Sequence, residues 1–170
     1  MLIVSALLHE AGHLLALAAL GARTLSIRLG LNGICISYHT GGLRPIGECA
    51  ALAAGPAVNA VAAVVSIAVY DRSGSGAALT LAGVNAVLCV FNLLPALPLD
   101  GGKLLGVFCD RLAGERAAEA VLFLSGMGMS STLLFLAWRL AKRGILNPFL
   151  LTAGVFFALQ CCQGRKSDVK

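Results

Sequence analysis

The chain has 170 residues, of which 58% are apolar and only 12% charged, with 13 Lys and Arg against 8 Asp and Glu. Soluble domains carry roughly 25% charged residues, so this composition cannot coat a water-facing surface, and a soluble globular enzyme is excluded. The apolar content excludes disorder, and 20 glycines without a fixed period exclude a collagen-like chain while fitting packed membrane helices. The formal charge of +5 forms no basic stripe interleaved with aromatics, so nucleic acid is not an expected partner.

A membrane-spanning helix needs about 20 predominantly apolar residues. The first candidate runs from Met1 to about Leu20 and is interrupted only by His9, Glu10 and His13. It lacks a basic leading segment and carries ionisable residues in its apolar stretch, so it does not read as a signal peptide. Residues 24–39 break the helical pattern: Leu25, Ile27 and Leu29 alternate with polar residues, Asn32-Gly33 signals a turn, and Ile34, Ile36 and Tyr38 alternate again. This predicts a β-hairpin, whose open edge could take an extended peptide as an added strand. Gly41-Gly42 and Arg44-Pro45 form a loop into the next apolar stretch.

Four further stretches lack Asp, Glu, Lys, Arg and His: Cys49 to Tyr70, Ser73 to Leu99, Ala120 to Trp138 and Gly144 to Gly164. Within the second, Pro95 and Pro98 remove helical donors and Gly101-Gly102 follow, so the helix must break across residues 92–102. Lys103 to Glu119 has apolar residues spaced for an amphipathic surface helix. The expected architecture is an all-α polytopic membrane protein of about five transmembrane helices with a small β-hairpin. Residues 1–164 form one membrane-embedded domain and residues 165–170 a short basic cytoplasmic tail.

Orientation follows from the basic residues. One side of the membrane receives Arg23, Arg28, Arg44, Lys103, Arg111, Arg116, Arg165, Lys166 and Lys170; the other receives Arg72, Arg139, Lys142 and Arg143. By the positive-inside rule the first set is cytoplasmic. The six cysteines at 35, 49, 89, 109, 161 and 162 form no CxxC pair and read as small buried hydrophobes, with palmitoylation of Cys161 and Cys162 as the alternative.

His9-Glu10-Ala11-Gly12-His13 carries the sharpest chemistry. Positions i and i+4 share one helix face, so His9 and His13 can present two imidazole nitrogens to one metal, and Glu10 can reach a water on it as general base. Each ionisable group in a membrane span costs roughly 2.5 kcal/mol or more, so three together argue against a chance match. A catalytic zinc takes a third protein ligand. Asp100 is the favoured candidate because it ends the longest uncharged run and precedes two glycines; the alternative is a helix cap or interface acid. His39 reads as a polar residue of the hairpin and Glu48 as an interfacial anchor.

Taken in order, His9-Glu-Ala-Gly-His13, Gly55-Pro56-Ala-Val-Asn59 and Asn92-Leu-Leu-Pro95-Ala-Leu-Pro98-Leu-Asp100-Gly101-Gly102 resemble the three signatures of the site-2 protease family of intramembrane zinc metalloproteases. Gly42 to Pro45 and residues 92–105 resemble the stage IV sporulation protein FB type in particular. The resemblance implies zinc held by His9, His13 and Asp100, one ion per chain, with Glu10 as general base. It implies that Asn59 and Asn92 help hold substrate or the developing oxyanion, against the plainer reading of interhelical hydrogen bonds. The implied substrate is a membrane-associated protein or peptide, such as a sporulation sigma-factor precursor. The implied setting is the cell membrane of a bacterium, with the site near the cytoplasmic side and regulatory membrane proteins as possible partners. The family's usual span before the HExxH helix and the sporulation type's CBS domain have no counterpart in these residues. An inactive scaffold of the same fold would be expected to have lost one of His9, Glu10, His13 or Asp100, and a zinc transporter would need further metal-binding residues along its spans.

Overall fold

The computed structural model describes residues 1–30, 33–39 and 45–164. Among these are six helices: α1 Leu2–Ala19, α2 Pro45–Ser73, α3 Gly76–Asn92, α4 Asp100–Ala113, α5 Glu115–Ala141 and α6 Pro148–Gly164. Between α1 and α2, β1 Arg23–Gly30 and β2 Gly33–His39 pair antiparallel, from Arg23 opposite His39 to Gly30 opposite Gly33, with a register irregularity between Thr24 and Ser26. The backbone alternation expected at 24–39 falls in these strands. Asn32 of the expected turn, the loop at 41–44, the side chain of His39 and the tail at 165–170 lie outside the described residues.

Local chemistry explains the helix limits. α1 runs without a breaker until Gly21, whose φ of 71° needs the left-handed conformation that glycine adopts freely. Ala22 N–H then donates to Leu17 O and closes the end. α2 and α6 both begin on proline, whose missing N–H is not needed in a first turn. Asn147 Oδ1 accepts from Leu150 N–H and caps α6.

Among the described residues three helices, α1, α2 and α5, are long and apolar enough to cross a membrane; α3 and α6 are apolar but shorter. The expected count of about five is therefore reached at full spanning length by three. The uncharged run from Ser73 to Leu99 does not continue as one helix, because α3 stops at Asn92, before the two prolines. The amphipathic segment expected over Lys103 to Glu119 is divided: α4 ends at Ala113, and Gly114, with φ 84°, separates it from α5.

The chain divides into two compact units, Met1–Asn92 and Leu93–Lys170. In the first, α2 packs on both α1 and α3. The buried stripe of α1 is Ser5, His9, Gly12 and Leu17, and α2 offers Ala51, Leu52, Gly55, Pro56, Asn59, Ala63 and Ser66. Small and polar side chains thus face inward, while Ile3, Leu7, Leu15, Val61 and Val64 face outward. That inversion suits lipid, where close backbone approach and polar contacts hold helices together and large apolar side chains gain nothing by burial. Gly12 makes the crossing possible, since a Cβ there would lie 2.9 Å from both Ala54 O and Val58 Cγ2.

In the second unit α5 packs against α4 and α6. Ser130 Oγ on α5 donates to Gly154 O on α6 at 2.8 Å, and Phe157 of α6 is buried. Residues 93–99 fold back over the start of α4: Leu99 N–H donates to Ala96 O, and Lys103 N–H to Leu99 O. Side chains at Gly101 and Gly102 would collide with the backbone of Leu93, Leu94 and Ala96. Gly128, by contrast, has nothing within 4 Å of its Cβ position. Gly102→Ala must move backbone, so it should lower the unfolding midpoint in detergent by an amount equivalent to about 2 kcal/mol or more. Gly128→Ala should raise it, because alanine in a helix is worth roughly 0.5–1 kcal/mol over glycine.

Candidate metal centre

His9 and His13 stand one turn apart on α1, with ring centroids 4.8 Å apart and planes at 84°. Each ring is held from α2 by its Nδ1. His13 Nδ1 is 2.8 Å from Ala51 O, and a backbone carbonyl only accepts, so this nitrogen carries the proton. Gly55 leaves the room, since any side chain there would overlap the His13 imidazole.

His9 Nδ1 is 2.7 Å from Asn59 Oδ1. The amide orientation of Asn59 is fixed by its other end, where Nδ2 donates to Ser5 O at 3.3 Å and to Asn85 Oδ1 at 2.8 Å. Asn59 must therefore accept from His9, and His9 Nδ1 must carry the proton. Asn59 and Asn85 are both fully buried.

With both Nδ1 atoms committed as donors, the Nε2 atoms are the nitrogens left to face one another, and they lie 3.2 Å apart. Nitrogens at that distance share either a proton or a metal ion, and both occupants leave the Nε2 edges as the ligand face. Imidazole nitrogens of this tautomer, each braced by an acceptor behind the ring, are the ligands that zinc takes. The residues of α1 therefore fit the metal that the HExxH spacing implies. Glu10, the next residue on from His9, is half-buried.

In the second unit, Asp100 is the first residue of α4 and 5% exposed. A carboxylate there is favoured by the positive end of the helix dipole. Its Oδ1 also receives Lys103 Nζ at 3.3 Å, and the Lys103 side chain is 48% exposed. The close packing of Gly101 and Gly102 under residues 93–96 holds this turn in place.

Asn59, read from the sequence as a substrate or oxyanion residue or as an interhelical bond, is bonded at both polar ends to α1 and α3. Asn92 is half-buried, and its Nδ2 donates back to Leu88 O on its own helix. Sequence reasoning missed Asn85 and the carbonyl of Ala51; Gly55-Pro56, read from the sequence as a place for close approach of the second helix to the first, is where His13 finds its space. A polar side chain inside an uncharged run of spanning length was the available signal for Asn85; nothing in the sequence marks the Ala51 carbonyl.

The similarities to known proteins agree with this geometry. Residues 73–136 match the model of peptidase family M50. Over 164 residues the chain is 32% identical to a protein of Synechocystis sp. assigned as a zinc metalloprotease, covering 94% of this chain and 42% of that protein. Over 166 residues it is 28% identical to a zinc metalloprotease of Methanocaldococcus jannaschii, covering 94% of this chain and 47% of that one. The chain thus spans about half the length of the curated relatives it matches. The solved structure of a site-2 protease from Methanocaldococcus jannaschii superposes with a TM-score of 0.72 at 26% identity, over 95% of this chain and 74% of that chain. Motif order, helix arrangement and similarity over nearly the whole chain point the same way: the chain is similar to peptidase family M50 and to a site-2 protease.

Proposed function

We propose that this chain is an intramembrane zinc metalloprotease that hydrolyses peptide bonds of membrane-associated proteins. The observation that carries the reading is the pair of Nε2 atoms 3.2 Å apart on the helix that also bears Glu10, each ring braced through a protonated Nδ1. Asp100 is the proposed third ligand: it is a buried acid, and with His9 and His13 it offers the two imidazoles and one carboxylate that suit a catalytic zinc.

When bound, zinc supplies a Lewis acid and a water whose pKa falls to about 7. The remaining work belongs to the chain. His9 and His13 keep their Nε2 atoms turned outward because α2 holds the far side of each ring. Glu10 takes the proton from the attacking water and returns it to the leaving amine. Water must enter a site flanked by apolar helices, and the irregular backbone at 93–99 supports an access route, since such backbone is tolerated at membrane depth only against protein or a wet cavity. The basic residues support a site opening to the cytoplasm, with the cytoplasmic part of the substrate released. A sporulation precursor is the narrowest form of the substrate reading and rests on the resemblance at 92–105.

Purified Glu10→Gln should keep zinc and lose cleavage of a membrane-tethered test substrate by roughly 100-fold or more. Asp100→Asn should lose most zinc while Asp110→Asn keeps it, measured by metal analysis after gel filtration. Full zinc in Asp100→Asn would remove Asp100 from the ligand set, and cleavage by Glu10→Gln at the wild-type rate would end the protease reading. Topology is tested in intact cells on a background with the native cysteines replaced. A cysteine placed at Ser75, between α2 and α3, should react with an impermeant thiol reagent, and one placed at Gly114, between α4 and α5, should not. The opposite pattern reverses the orientation.

A further inference from the structure

A chain of carboxamides crosses the first unit behind the metal-facing residues. It starts at Leu81 O on α3, which accepts from Asn85 Nδ2 at 2.9 Å. Because a backbone carbonyl cannot donate, this bond decides which end of the Asn85 amide is which and turns its Oδ1 toward α2. That oxygen accepts from Asn59 Nδ2 at 2.8 Å, and Asn59 Oδ1 then accepts from His9 Nδ1 at 2.7 Å. Each bond sets the direction of the next. Both asparagines are fully buried, so water does not compete for their polar atoms.

We propose that Asn85 is a positioning residue of the metal centre. Acting through Asn59, it holds the proton on His9 Nδ1 and the ring in one orientation, so that Nε2 is presented to a divalent cation. This deepens the proposed function and rests on its reading of His9 as a zinc ligand. Asn59 alone is not equivalent to the pair. Its Nδ2 also donates to Ser5 O, but at the longer distance of 3.3 Å. Without Asn85, a buried amide proton loses its acceptor, and the carboxamide gains a reason to turn away from the orientation that His9 needs. Removing such a partner behind a metal-bound histidine costs about 10- to 100-fold in affinity in characterised sites.

A purely structural Asn85, joining α3 to α2, would affect stability without a specific effect on His9. The test therefore reads His9 itself. In metal-free protein carrying nitrogen-15 histidine in nanodiscs, the wild type should show a His9 Nδ1–H protected from exchange, and zinc affinity is measured separately by chelator competition. Asn85→Leu should speed exchange of that proton and weaken zinc binding by about 10-fold or more, while the His13 Nδ1–H, which donates to Ala51 O, stays unchanged. Asn85→Asp, whose protonated carboxyl can still donate to Leu81 O and accept from Asn59, should restore both readouts. Wild-type exchange and wild-type zinc affinity in Asn85→Leu would overturn the proposal. So would a wild-type His9 without a proton on Nδ1, an outcome readable even if Asn85→Leu does not fold. Failure of the wild type to bind zinc would instead strike the proposed function, and the exchange measurement on metal-free protein would still decide the relay.

Discussion

Two imidazole nitrogens face one another at 3.2 Å, a distance they keep only with a proton or a metal ion between them. Much of the first unit follows from holding them there. Each ring must give up its other nitrogen to an acceptor, and in an apolar bundle that acceptor must come from another helix, because water is scarce and an unpaired polar group is costly. α2 supplies both, a main-chain oxygen at Ala51 and a carboxamide at Asn59. To do so it must approach α1 more closely than ordinary side chains permit, which is why Gly12 and Gly55 line the crossing.

The same economy of space appears in the second unit with a different purpose. Gly101 and Gly102 allow the 93–99 segment to lie against the first turn of α4, which keeps Asp100 buried at a helix N-terminus. A buried carboxylate needs compensation, and the helix dipole together with Lys103 supplies part of it. In the α5 and α6 pair the close approach is structural: Ser130 reaches the main chain of α6 at Gly154.

How much of this could be read from the sequence depended on the range of the interaction. The pairing of His9 with His13 is a property of one helix, and the i, i+4 rule exposed it directly. The breaks after Asn92 and before Asp100 were legible because proline and glycine act on their own backbone. The absence of charge, however, overstated the third span, since it reports solubility in lipid and not where the helical hydrogen bonds stop. The amphipathic pattern of 103–119 likewise concealed the stop at Gly114, whose positive φ is visible only in the fold. Asn59 stood out in the sequence, but its partners lie 50 residues away on α1 and 26 away on α3. No local pattern could say that both ends of its amide were already engaged. Asn85 carried less signal still, one polar side chain in a long apolar run.

The bracing of both histidines from α2 bears on how this chemistry can be inherited or transplanted. Grafting the five residues from His9 to His13 into another helix would carry the two imidazoles but neither of the acceptors that orient them. The smallest transferable unit is a pair of crossing helices, one with the histidines and one with a main-chain carbonyl within reach, a glycine and an asparagine placed 50 residues beyond the first histidine. Chains that keep the first half of that pair and lose the second would retain the signature in their sequence without the means to aim it. The geometry therefore makes Gly55 and Asn59 as necessary to the aim of the two rings as the histidines themselves.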